Sequence, residues 1–469
     1  MEYNLSEVLI MKKFVASILS VTIVMSLAAC SGKQPEQTVS GSSETTAQVT
    51  ETTEATTETT AETTAETTTA ETTTETTVTE TTTEATEPKV VNLTEPKLDA
   101  AKDFKWSLKN GVLTLSGNGA MPNYKSETKI PWYKNRKKIT KVVFEGNLTR
   151  IGAYAFADCT KLKSVTIPDS VQVIGEYAFM WCEFTEITVP DTVTFIGDGA
   201  FICCEKLASA KLSENIAVIN CFTDCSKLAN VNIPAGVKII EDLAFQGCTK
   251  LNDITLPDGL TKIGEAAFEN CKSLTKINIP DSVTKIGEMA FRRCTKLTEI
   301  VIPGSIKSLG YDTFEGCSSL TSVTIHEGFT TIGKSVFSEC AKLKSVTLPN
   351  SLKKIGEGAF SFTGLTSLNI PDGVTAIGTG AFIGCKSLTT VSGGAKVETI
   401  GSNAFSECKK LTSFTITSSA LKSISKAFDE DKNLKTLNLP NATKLTKDGM
   451  KKATKGSGVK TIKVKSWKK

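Results

Sequence analysis

From residue 148 onward a phenylalanine returns every 21–23 residues, at positions 156, 179, 201, 222, 245, 268, 291, 314, 337, 360, 382, 405 and 428. A spacing held over thirteen copies excludes most ordinary globular folds, because self-similarity at such a period belongs to stacked repeats. Clear units are Leu251–Cys271 (LNDITLPDGLTKIGEAAFENC) and Leu274–Cys294 (LTKINIPDSVTKIGEMAFRRC). Leu-x-x-Ile-x-Ile alternates as a strand with one buried face does. Pro-Asp-Ser or Pro-Asp-Gly turns the chain. Val-x-x-Ile-Gly is a second short apolar piece, on the next side of the coil. Gly-Glu-x-Ala-Phe-x-x-Cys then sets Ala, Phe and Cys at helical spacing on one inward face, which predicts a short helical turn. No unit folds alone; stacking buries Leu, Ile, Phe and Cys in continuous interior columns.

This period and the Leu-x-x-Ile-x-Ile core form the leucine-rich-repeat pattern. The expected fold is an α/β repeat: a right-handed solenoid with a parallel β-sheet face, short strands and short helical turns. It is expected to be capped at both ends, because an open end exposes core and strand edge. Residues 98–147 are read as an N-terminal β cap, a hairpin and a strand, and 148–440 as the solenoid of about 13 repeats. The last unit loses its Gly and Cys (Ser425, Asp431). It passes into an expected helix over 446–455 and strand over 459–464, so 441–469 are read as a C-terminal cap and basic tail.

Eleven cysteines follow the repeat phenylalanine by three residues: Cys159, Cys182, Cys204, Cys225, Cys248, Cys271, Cys294, Cys317, Cys340, Cys385 and Cys408. One Cys per coil reads as a ladder of small buried side chains. Rungs roughly 5 Å apart leave some disulfides geometrically conceivable, but free buried thiols are the expectation. Metal sites need clustered ligands, and apart from Cys203-Cys204 none is present, so no metal or other cofactor is expected. The single histidine, His326, rules out His-based triads and multi-histidine metal sites and is given no role.

Outward strand positions read as a ribbon of small polar residues, from Ser164/Thr166 to Thr436/Asn438. Its acids are Glu186, Asp253 and Glu299, each two or more coils from the next. A glycoside-cleaving carboxylate pair needs about 5–9.5 Å and a cleft, so no catalytic residue is assigned and the chain is not read as an enzyme. The Asp column after the repeat proline (169, 191, 258, 281, 372) is assigned to turn formation. Candidate binding residues are Glu186, Asp253, Lys276 and Glu299 on the strand face, with Tyr154, Tyr177, Trp181 and Phe195 as bulky groups of the first coils. The aromatics either pack under the N-terminal lead-in or form an exposed contact patch.

The N-terminal portion is of a different kind. Lys12 and Lys13 precede an apolar run from Phe14 to Leu27, too short for a comfortable membrane span and suited to a signal-peptide core. It ends in Leu27-Ala28-Ala29-Cys30, which resembles the lipobox of bacterial lipoproteins. The resemblance implies cleavage before Cys30 and a diacylglycerol on its thiol. Residues 1–29 are therefore read as a signal peptide, with Met11 as the expected true start. Residues 30–97 are read as a lipid-anchored disordered stalk. Between Thr38 and Glu87, 25 residues are Thr and 11 are Glu, with no Lys or Arg. Such a stretch lacks the apolar surface to offset its ordering entropy and self-repels into a spacer.

The repeats resemble the BspA-like leucine-rich-repeat family of bacterial surface proteins over about 148–440. Trp106-Ser-Leu-Lys-Asn-Gly-Val-Leu, Gly119-Ala-Met-Pro and Pro131-Trp132 look like the lead-in of such proteins. That resemblance implies adhesion to host matrix proteins, other microbes or surfaces. The expected function is a cell-surface lipoprotein, anchored on the extracellular face of the envelope and displaying the repeats for protein or glycan binding. The alternative is an envelope-structuring protein without a specific ligand. The folded part, 88–469, holds 51 Lys+Arg against 36 Asp+Glu. Its tail, Lys451–Lys469, carries eight Lys and no acid, and is read either as a solvated basic cap or as a contact for an anionic wall polymer or lipid headgroups. Nucleic acid is not an expected partner of an exported chain.

Overall fold

The computed structural model describes residues 94–442 and 444–464. The signal peptide, Cys30, nearly all of the stalk and Lys465–Lys469 lie outside the described residues. The architecture is a parallel β-solenoid with little helix.

The first strands are β1 (Lys105–Lys109) and β2 (Val112–Ala120), an antiparallel hairpin turned by Asn110-Gly111. Both turn residues have positive φ (49° and 81°), as a two-residue type I′ turn requires. β2 pairs in parallel with β3 (Lys141–Ile151), whose end pairs with Val173–Ile174 and so opens the repeat ladder. Between β2 and β3 lies Trp132, fully buried, whose indole N–H donates to Ala155 O at 2.8 Å. The Arg136 guanidinium meets Asp158 at 2.8 Å.

Each coil has three sides. The first is the Leu-x-x-Ile-x-Ile strand, paired in parallel one repeat apart: Glu299↔Ser322, Ile300↔Val323, Val301↔Thr324, Ile302↔Ile325. Exposed and buried residues alternate along it. The second side is a two-residue strand before the repeat glycine, as in Lys285–Ile286 beside Lys262–Ile263.

The third side departs from expectation: it is not a helical turn. Around Phe291, Arg292 N–H donates to Met289 O and Cys294 N–H to Phe291 O, while Met289, Phe291 and Arg293 N–H groups donate to Tyr311, Thr313 and Glu315 O of the next coil. Bonds within a coil therefore alternate with bonds between coils, and no continuous i→i+4 ladder forms. The residues two before and two after the phenylalanine are left-handed: Leu243 and Gly247, Met289 and Arg293, Ser335 and Glu339. That alternation breaks any helix. Among the described residues the one α-helix is α1 (Lys447–Ala453), after the repeats.

The interior is built of columns. Thirteen phenylalanine rings stack with centroids 5.1–5.9 Å apart and planes within 19°. Beside them runs the cysteine column, buried throughout, each thiol free. From Cys182 onward each Sγ–H donates to the phenylalanine carbonyl of the preceding coil at 3.1–3.3 Å. Burial pushes the Cys159 thiol up to about 12 and the others upward as well.

The repeat glycine is explained by contact with the coil before it. A Cβ on Gly287 would lie 2.4 Å from Glu265 N and 2.5 Å from Gly264 C. Backbone occupies that space, so alanine forces the coils apart. Gly287→Ala is expected to cost about 1–3 kcal/mol, read as a lower urea midpoint. A variant as stable as the parent would show that the coils slide apart freely.

Candidate interaction surfaces

Parallel register decides which side chains meet. Strands pair one repeat apart, so equivalent positions line up along the axis, and a residue type repeated in sequence becomes a row. On the strand face Glu186, Asp253, Lys276 and Glu299 are all exposed. Lys276 and Glu299 come together at 3.6 Å as a solvent-exposed ion pair. Glu186 and Asp253 stay apart from it and have no ion pair among the described residues.

The early aromatics divide between two places. Tyr154 and Tyr177 occupy the left-handed position before the phenylalanine, with rings 5.1 Å apart and tilted by 32°. The Tyr177 ring continues over Gly199, where an added Cβ would lie 2.6 Å from it. Both are half-buried. The lead-in contacts the same coil: Tyr124 N–H donates to Ala153 O, and the Phe144 and Phe156 rings meet edge to face at 6.0 Å. Trp181, 43% exposed, stands in the left-handed column after the phenylalanine, next to Cys203. Burial, then Asp224, pushes the Cys203 thiol up to about 12, with Trp181 opposing. Phe195 belongs to neither column. It lies half-buried in the two-residue strand Phe195–Ile196, opposite Val173. The four residues do not form one patch.

Two of the turn aspartates cap the next coil. Asp191 Oδ1 accepts from Glu214 N–H at 2.9 Å and Asp372 Oδ1 from Ala395 N–H at 3.1 Å. His326 is exposed, and its backbone N–H donates to Ile302 O. Among the described residues no group of three His, Cys, Asp or Glu side chains could hold a metal ion.

A buried charge ladder escaped the sequence reading. At the position after the phenylalanine, Glu269, Arg292 and Glu315 come from three successive coils, each less than a tenth exposed. Arg292 Nε lies 2.5 Å from Glu315, and its Nη1 lies 3.4 Å from Glu269. Gln246 Nε2 donates to Glu269 at 2.6 Å. The signal was there: opposite charges at one repeat position, 23 residues apart. Desolvation on this scale is offset only while all partners are present.

A groove of about 430 Å³ runs over the glycine column, lined by Gly264, Gly287 and Gly310 with Glu265, Glu288, Lys285 and Lys307. Burial, with Asp242 and Glu288 nearby, pushes the Glu265 carboxyl upward. These surfaces offer rows of charge and hydroxyl, not an enclosed reaction chamber.

The BspA-type leucine-rich-repeat region (6 copies) matches this chain over residues 131–250, 219–344 and 330–455. The chain belongs to the BspA-type leucine-rich-repeat family. Among solved structures, a leucine-rich-repeat protein from Bacteroides ovatus is 27% identical, with 78% of this chain and 100% of that one covered and a TM-score of 0.59. One from Eubacterium ventriosum is 30% identical over 60% of this chain and 92% of that one, with a TM-score of 0.40. A leucine-rich cell surface protein from Faecalibacterium prausnitzii is 24% identical over 69% and 95%, with a TM-score of 0.33. No curated protein matches the chain. In this BspA-type protein the repeat scaffold is of a kind that serves interaction rather than catalysis.

Proposed function

We propose that the protein is a cell-surface lipoprotein, anchored through Cys30 and lifted from the membrane by its Thr/Glu stalk, that displays the solenoid for adhesion to an extracellular protein or glycan. The observation that carries the reading is the strand face. From Ser322 to Asn438 its outward residues are all Ser, Thr or Asn, held in register on two successive parallel ladders. Such a face offers hydrogen-bond donors and acceptors in rows, without a cleft. The lipobox and stalk composition support the location. A right-handed coil closed at both ends belongs to the same reading. The closed ends are supported by Trp132 buried against the first coil and by Thr461–Lys463 pairing with the last repeat strand.

The test is saturable binding of the protein to an array of matrix proteins and glycans at low and raised salt. Binding to one ligand class that survives salt, and is lost on substituting Ser345, Ser367 and Thr390 by lysine, supports the reading. Silence across the array would overturn it in favour of an envelope-structuring role.

A further inference from the structure

In most coils the chain returns to its strand through a tight turn from the column cysteine to the strand leucine. The leucine N–H donates to the cysteine carbonyl three residues back: Leu207 to Cys204, Leu251 to Cys248 and Leu297 to Cys294, each at 3.0 Å. Cysteine and leucine are fully buried, so the two residues between them are pushed to the surface. In ten of the thirteen coils one of those two is lysine. Glu183, Ser319 and Gly364 mark the other three. Five successive coils carry Lys206, Lys227, Lys250, Lys272 and Lys296, all exposed. None has a carboxylate within ion-pair distance among the described residues.

Equivalent residues recur at the intercoil step of about 4.8 Å. Lys272, Lys386 and Lys432 stand at the first of the two positions and the other seven coils have lysine at the second, so the lysines form a narrow staggered row parallel to the solenoid axis, interrupted at three coils, over roughly 60 Å for the full array. Like charges at this spacing repel one another, and a bound anion relieves that. The file borders the strand face, whose later coils present only hydroxyls and amides. A flat membrane calls for a broad patch; a narrow row calls for a chain.

We infer that this lysine ridge is a track for a linear anionic polysaccharide lying along the solenoid axis, its acidic groups on the ridge and its hydroxyls against the Ser, Thr and Asn of the strand face. This rests on the adhesive reading above and supplies its ligand class.

The experiment uses the full-length protein and three polyanions, heparin (sulfate), polygalacturonate (carboxylate) and a phosphodiester-linked polysaccharide (phosphate), with neutral dextran alongside, at about 50 and 200 mM salt. One variant carries Lys227→Glu, Lys250→Glu, Lys272→Glu and Lys296→Glu. A second makes the same charge change on another side: Lys285→Glu, Lys307→Glu, Lys353→Glu and Lys354→Glu. The parent should bind at least one polyanion and not dextran, and the responsive polymer identifies the acid. The ridge variant should bind more than about tenfold more weakly with a flatter salt dependence, and the other variant should change less than about threefold. Equal losses in both would reduce the effect to net charge and overturn the ridge. A parent that binds a matrix protein or neutral glycan but no polyanion would overturn the ridge and leave the adhesive reading standing. A parent that binds nothing overturns both. Thermal melts check folding, and Lys→Gln at the ridge positions replaces any Glu variant that melts early.

Discussion

Phe291→Ala should destabilise the solenoid by about 3–5 kcal/mol, read as a fall in the urea midpoint by circular dichroism. Its ring is fully buried, 5.4 Å from Phe268 and 5.2 Å from Phe314, with planes within 4°. Repeat stability is approximately a sum of unit terms and nearest-neighbour terms, and this residue serves two interfaces at once. The array should also lose cooperativity: its two halves should separate into a broader or two-step transition. A loss below about 1 kcal/mol would mean that the flanking coils close over the hole and that the column is not rigidly packed.

Asp431→Cys should stabilise the last coil at pH 8–9 and change little near pH 4. Asp431 occupies the cysteine position after Phe428, and its side chain is fully buried. Neither carboxyl oxygen has a hydrogen-bond partner among the described residues. Burial pushes its carboxyl up to about 8; Asp429, Glu407 and Glu430 add to the rise, and the Cys408 amide opposes it. That amide is already committed to Phe405 O at 3.3 Å. The folded-state value lies above the unfolded one of about 3.9, so the folded state holds the proton more tightly. Stability is therefore fullest below about pH 4, falls as pH rises towards 8, and is flat above that. The integrated loss is on the order of several kcal/mol, confined to the coil that holds the residue. Cysteine restores a neutral donor for the Phe405 carbonyl. The check is urea denaturation of both proteins at pH 4.5, 7 and 9. A difference that does not change with pH would remove the buried charge from the explanation.

Much of this was legible because a repeat states each rule thirteen times. The Leu, Ile, Phe and Cys columns, the strand alternation and the Asn110-Gly111 hairpin all follow from spacing and turn chemistry. The expected helix over 446–455 appears as α1, with Thr446 Oγ1 accepting the Gly449 N–H at 3.1 Å. The expected strand over 459–464 appears as Thr461–Lys463. The helical turn was misread because Ala-Phe-x-x-Cys spacing suits successive i→i+3 turns as well as a helix. Only the left-handed residues separate the two, and most of them, Leu243, Met289 and Phe362 among them, are not glycine. Sequence alone did not show where the early aromatics stand, because Phe195 lies on another side of the coil from Tyr154 and Tyr177. Glu269, Arg292 and Glu315 went unnoticed because reading along the chain hides what reading across coils reveals.

In-register stacking also bears on how such a chain can change in length. An inserted unit of 23 residues would bring its own Phe, Cys, Gly and Leu and meet above and below the same partners that every interior coil already meets. Nothing in the neighbouring coils has to be redesigned, and the ladder grows by about 4.8 Å. Duplication therefore acts as an extension ruler. It copies whatever stands outward as well, so a single favourable surface residue becomes a row by gene arithmetic alone, without a separate mutation for each rung.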